Sequence, residues 1–171
     1  MACVGRPVPQ GRIRGDDLLI LLLLGTHEQA FERAVDVLVP LAEQEEIVIQ
    51  HGHTPPRPAS AGVTWLEFAS YERILELCRA ARVVACHAGV GTIMTARAMG
   101  KTPLVIPRLA RFGEHVDDHQ LQIAQEFAER DLVVMLHEAD DLESALSLTE
   151  TVQPRVGHGD ALRRAVAEAV G

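Results

Sequence analysis

Short apolar runs alternate along this chain with amphipathic segments, and that alternation narrows the folds open to it more than any other feature. The runs fall at Leu18–Leu24, Ile47–Gln50, Val83–Cys86, Leu104–Ile106 and Leu132–Met135. Brief continuous apolar stretches suit strands buried on both faces, which suits a parallel sheet covered by helices on each side. After the first run, Phe31, Ala34, Val35, Leu38, Leu41 and Ala42 recur at helical spacing, and Thr26 with Gln29 forms a capping-box pattern that predicts the helix start. Further helices are predicted at Tyr71–Ala80, Thr92–Met99, Asp118–Glu129 and Leu142–Leu148, with a last one near Asp160–Val170. Gly100 supplies a stop. The expected fold class is α/β, a Rossmann-like parallel sheet with helices on both faces.

A chain of 171 residues makes one ordinary core, so residues 17–171 are expected to form a single domain behind a flexible extension over 1–16. The formal net charge of −8 argues against nucleic acid or an anionic membrane as a partner, since both demand a basic surface. Leu18–Leu24 is too short to cross a bilayer, and Asp16 and Asp17 before it spoil the pattern of a secretory signal. A cytoplasmic protein without direct membrane insertion is expected. Cys3, Cys78 and Cys86 form no CxxC pair and leave an odd count, which points to reduced thiols.

The chemistry concentrates between Cys86 and Gln120, CHAGVGTIMTARAMGKTPLVIPRLARFGEHVDDHQ. There a strand runs into His87, Ala88, Gly89, Val90, Gly91 and Thr92 before a helical pattern begins. Backbone N–H groups at such a helix start are free and carry about half a positive charge, and glycines let a ligand approach, so phosphate is the natural guest. Arg108, Arg111 and Lys101 crowd near this motif and would serve a small anion; Lys101 and Arg111 could as well face solvent, whereas Arg108, directly after PLVI and Pro107, is better placed. GTHEQ, QHGHT, HAGVGT and PRLARFGEHVDDHQ all fall beyond the carboxyl ends of predicted strands, where open α/β sheets bind ligands.

HAGVGT followed by GKTPLVIPR and FGEHVDDHQ, together with Gly25-Thr26-His27-Glu28-Gln29, Gln50-His51-Gly52-His53-Thr54 and Trp65-Leu66-Glu67-Phe68, resembles the family 28 glycosyltransferases over roughly Leu18 to Leu146. More narrowly it is similar to their short donor-binding subunits, such as the soluble half of the two-component enzyme that adds N-acetylglucosamine to a lipid-linked diphosphate, and paired exopolysaccharide enzymes. The resemblance implies the C-terminal, donor-binding half of a GT-B glycosyltransferase, inverting and metal-free, with a UDP-sugar as donor and no cofactor. It implies that Gly89, Val90, Gly91 and Thr92 hold the diphosphate, with His87, Gly25, Thr26 and Arg108 beside it. Glu114, His115, Asp118 and Gln120 would sit over the sugar, where carboxylates and an amide read hydroxyl groups. Phe68, and less directly Trp65, would wall a uracil pocket, with backbone at Ala69 reading the base edge. His27 and Glu114 are the candidates for the base that deprotonates the acceptor. A chain of this size has room for the donor half only, so a membrane-associated partner protein is expected to hold the lipid-linked or polysaccharide acceptor.

Relatives often carry Glu where this chain has Thr95, which puts ribose anchoring in question, whereas Ala30 and Glu32 in GTHEQAFER are expected to matter little. Two rival readings stand. His115 and His119 at i, i+4 among acidic neighbours, and more weakly His51 and His53, raise a metal site. The glycine turns would also serve a non-catalytic sugar-nucleotide-binding or regulatory module.

Overall fold

A computed structural model describes residues 19–57, 61–137 and 141–152. The predicted extension over 1–16, Cys3 and the predicted helix near Asp160–Val170 lie outside the described residues. In chain order the elements are β1 (Leu19–Leu23), α1 (Glu32–Leu38) running into a 3₁₀ turn at Val39–Glu43, β2 (Glu46–Gln50), β3 (Val63–Leu66), α2 (Tyr71–Ala80), β4 (Val83–Cys86) and α3 (Val90–Ala98). There follow β5 (Leu104–Val105), a 3₁₀ turn at Ala110–Phe112, α4 (His119–Glu129), β6 (Val134–Met135) and α5 (Leu142–Thr151).

The six strands form one parallel sheet in the order β3-β2-β1-β4-β5-β6. The chain winds one way from β1 to β3 and the other way from β4 to β6, so the order reverses between β1 and β4. That switch point opens a crevice at the carboxyl ends of the central strands. The apolar pattern explains the layering. Leu19, Leu21 and Leu23 of β1 pack into one core with Leu77 and Cys78 of α2, Ile93 and Ala96 of α3, and Ile123, Ala124 and Phe127 of α4. Ile20, Leu22 and Leu24 enter a second core on the opposite face with Phe31, Ala34, Val35 and Leu38 around α1, and Ala145 and Leu146 of α5. Cys78 and Cys86 are free and buried, and burial pushes the Cys78 thiol up to about 11.

Two local expectations are corrected. The strand Val63–Leu66 is additional to those read from the sequence. The helix predicted to start behind Thr26 begins only at Glu32, and no side chain of Phe31 caps it. Instead the Phe31 N–H donates to Oγ1 of buried Thr54 at 3.0 Å, so a residue beyond β2 satisfies the helix start. Gly100 stands at φ +77° one residue past the Met99 cap of α3, as a stop should.

Candidate functional site

A cleft of about 480 Å³ opens at the switch point. Its floor is Leu23 at the end of β1 and Gly25 and Thr26 following it, with Gln50 closing β2 and His87 following β4. Gly91, Thr92 and Thr95 of α3 form one side, and Phe68, Ala69, Tyr71 and Ile74 form the other.

The first turn of α3 supplies the electropositive end. Its N-cap is Gly89, without a side chain to cap it, so the N–H groups of Val90, Gly91 and Thr92 meet no capping oxygen. A side chain at Gly91 would meet open space, so glycine there leaves the cleft unobstructed. Gly89 is glycine for a different reason. A Cβ on it would lie 2.2 Å from Nε2 of His87, and one on Gly25 would lie 2.7 Å from Cε1 of the same ring. The imidazole is therefore wedged against two glycines, with Nδ1 3.3 Å from the Leu23 carbonyl oxygen.

Burial, with the neighbouring charges of Arg108, His27 and His115 adding to it and the Leu23 carbonyl opposing, pulls the His87 pKa from 6.5 down to about 4. The folded ring thus resists a proton that the unfolded chain takes up near pH 6.5. The associated stability is full above pH 6.5 and is lost as pH falls toward 4, to the extent of up to about 3 kcal/mol. Urea unfolding at pH 7.5 and pH 4.5 is expected to show a smaller acid loss for His87→Asn than for the unsubstituted chain. An equal loss in both would assign the effect to carboxylates.

Behind the cleft lies a buried polar bracket. The Arg108 guanidinium, only 1% exposed as a residue, donates to the carbonyls of Gln29 at 2.7 Å, Glu114 at 3.0 Å and Leu24 at 3.0 Å, and it lies over the Phe31 ring at 4.6 Å. Burial lowers its pKa to about 10, with Glu114 opposing. Glu114 accepts from Arg33 at both oxygens, 3.0 and 2.7 Å, and from the Leu109 N–H at 3.0 Å. Oε1 of Gln120 accepts from the N–H groups of Ala88 and Arg108, joining the turn before α3 to the segment after β5.

The expected site residues therefore divide. Gly25, Thr26, Phe68, Ala69, His87, Gly91 and Thr92 come together around the cleft, and Gly89 and Val90 shape the helix start beside it. Arg108, Glu114 and Gln120 do not line it: both terminal nitrogens of Arg108, both carboxylate oxygens of Glu114 and Oε1 of Gln120 are bonded within the protein, while Nε of Arg108 is buried without a partner, so Glu114 is not a free carboxylate. Asp118 accepts from the Ala110 N–H and borders a separate, smaller cleft with Arg111. Lys101 donates to the Ala81 carbonyl, before β4 and at the sheet's opposite end. His27 follows Thr26, its ring 4.6 Å from that of His115, with Nδ1 sealed and unpartnered. His115 Nδ1 lies 2.9 Å from Asp117. His119 opens α4 and His115 lies before it, so the two do not share a helix face. Trp65 packs into the second core and edge-on to His51, while His53 meets Phe68.

Gln50, Tyr71 and Arg33 were not singled out from the sequence. Gln50 carried a signal, since it stands at a strand's carboxyl end within QHGHT. Arg33 carried none, because its partner lies 81 residues away.

Solved structures share this fold, among them the three that follow. A crystal structure of the glycotransferase of kitacinnamycin matches with a TM-score of 0.63 and 20% identity, covering 99% of this chain and 44% of that one. The solution structure of ALG13 matches at 0.58 and 17% identity, covering 89% of this chain and 96% of that one. The glycosyltransferase SnogD from Streptomyces nogalater matches at 0.55 and 20% identity, covering 99% of this chain and 47% of that one. The chain thus spans less than half the length of the first and third. No curated protein sequence matches. The strand order and these likenesses identify the fold as that of a GT-B C-terminal domain. Residues 19–155 match the glycosyltransferase family 28 C-terminal domain, and the chain belongs to that family.

Proposed function

We propose that this chain is the donor-binding, catalytic subunit of an inverting glycosyltransferase that takes a UDP-sugar and passes the sugar to a lipid-linked or polysaccharide acceptor held by a partner protein. The observation that carries the reading is the uncapped start of α3, which faces the cleft at the sheet's switch point. In this reading the N–H groups of Val90, Gly91 and Thr92 hold the diphosphate, with the hydroxyls of Thr26 and Thr92 alongside. As the bond to the anomeric carbon breaks, negative charge grows on the leaving diphosphate, and fixed donors already aimed there lower the barrier without a metal or other cofactor. Phe68, Ala69 and Tyr71 form the wall for the base. With the Glu114 carboxylate occupied by Arg33, His27 is the residue we assign to receive the acceptor proton. The partner would sit at the inner face of the membrane and bring the subunit to it. Among the described residues no helix is long and apolar enough to cross a membrane.

One observation favours the second reading, a sugar-nucleotide-binding module without turnover. Thr95 donates its hydroxyl to the Gly91 carbonyl at 2.9 Å, and among the described residues lining the cleft none is a carboxylate.

Thermal unfolding with UDP, ADP, GDP or no ligand, each with and without EDTA, tests the donor site. UDP at 100 times its dissociation constant stabilises by about 2.7 kcal/mol, a rise of roughly 5–10 °C in Tm. A UDP-selective rise that survives EDTA is expected. No response to any nucleotide by the chain together with its partner would overturn the proposal.

A further inference from the structure

Gln50 ends β2 and is 6% exposed, and the cleft is what it lines. Its Nε2 donates to the Gly25 carbonyl at 3.2 Å and to the Glu67 carbonyl at 3.1 Å, tying together the chain beyond β1 and beyond β3. Both amide hydrogens are spent. Turning the amide over would set Oε1 against two carbonyl oxygens, so its orientation is fixed by its neighbours. Oε1 takes no hydrogen bond among the described residues. The cleft therefore holds one rigid acceptor, and no further reorganisation is needed for a guest to use it.

A diphosphate offers only acceptors, so it gains nothing from this oxygen. The backbone that clamps the amide, Glu67, leads directly into Phe68 and Ala69, whereas the helix start that suits phosphate is built by Gly91 and Thr92 on the other side. We propose that Gln50 is a specificity-determining residue that accepts, at Oε1, a hydrogen bond from an N–H or O–H group of the donor's nucleoside, either the imide of the base or a ribose hydroxyl. The inference rests on the donor-site reading above and adds the residue that tells nucleosides apart.

Calorimetric titration tests it with UDP, 2′-deoxy-UDP, 3′-deoxy-UDP, CDP and inorganic pyrophosphate, on the unsubstituted chain and on Gln50→Met. The unsubstituted chain is expected to lose about tenfold in affinity for at least one analogue, and which one it is identifies the imide or the hydroxyl as the partner. Gln50→Met is expected to bring UDP and that analogue to within about threefold of each other while pyrophosphate binding holds, a collapse of selectivity that a bracing role alone does not produce. Equal affinity for UDP and every analogue would overturn the proposal, as would an equal loss of UDP and pyrophosphate in the variant. Should Gln50→Met fail to fold, Gln50→Leu takes its place, and a flat analogue series on the unsubstituted chain overturns the proposal without any variant. A chain that binds no UDP removes the donor-site reading itself, whereas UDP binding with a flat series removes only the role of Gln50.

Discussion

Sugar transfer by a His27→Ala variant, assayed with the partner protein we propose, is expected to fall by about 10²–10⁴-fold while its affinity for UDP stays within about threefold. His27 does not itself line the cleft but stands one residue past cleft-lining Thr26, and with Nδ1 sealed, Nε2 is the nitrogen we assign to take the proton. Pre-steady-state transfer together with UDP titration separates the two quantities. A rate unchanged by the substitution would move the base to the partner chain. Glu114→Gln makes the contrast, because its carboxylate is bound to Arg33 and the Leu109 N–H, so any loss of transfer there should track a loss of stability.

Arg108→Met is expected to produce the largest loss of stability of any single substitution near the site. The guanidinium bonds three carbonyls, those of Leu24 and Gln29 within the turn between β1 and α1 and that of Glu114 after the second 3₁₀ turn, two segments that no regular element joins. Methionine roughly fills the volume but leaves those carbonyls without donors at a buried position. Leaving buried carbonyls without donors costs about 1–3 kcal/mol each, offset in part because the guanidinium no longer has to be buried, so a net loss of about 3–5 kcal/mol is expected, a fall of roughly 6–20 °C in Tm for a domain of this size. A scan showing less than a few degrees would mean that water replaces the lost donors. Because the bracket holds the GTHEQ turn against the segment after β5, UDP affinity is expected to fall with it.

The sheet was legible because its signal is local. β1 reads as an unbroken apolar run since both its faces are covered, and β4 repeats the pattern. β3 escaped because it is an edge strand of four half-buried residues, Val63–Leu66, with polar Thr64 inside it, and shows neither an apolar block nor clean alternation. The start of α1 was misplaced for the opposite reason. Thr26 and Gln29 make a sound local capping pattern, but Arg108 holds the Gln29 carbonyl and Thr54 holds the Phe31 N–H, and distant partners outweigh a local preference worth about 1 kcal/mol. The motif residues likewise separated by distance. Gly25, His87 and Gly91 were readable as a ligand surface from their place at strand ends, whereas the bonds that commit Glu114, Arg108 and Gln120 to the scaffold join residues that sequence spacing does not relate.

The wedged imidazole of His87 also sets what can stand at the head of α3. Gly89 has φ −79° and ψ 119°, an extended conformation open to any amino acid, so only the ring excludes a side chain there. Serine is a common choice for such a position, yet its hydroxyl would claim an amide of the first turn for itself. By filling that space with histidine the chain forgoes self-capping, at a cost of a few tenths of a kcal/mol, and leaves the helix chemically unfinished until an anion from outside completes it.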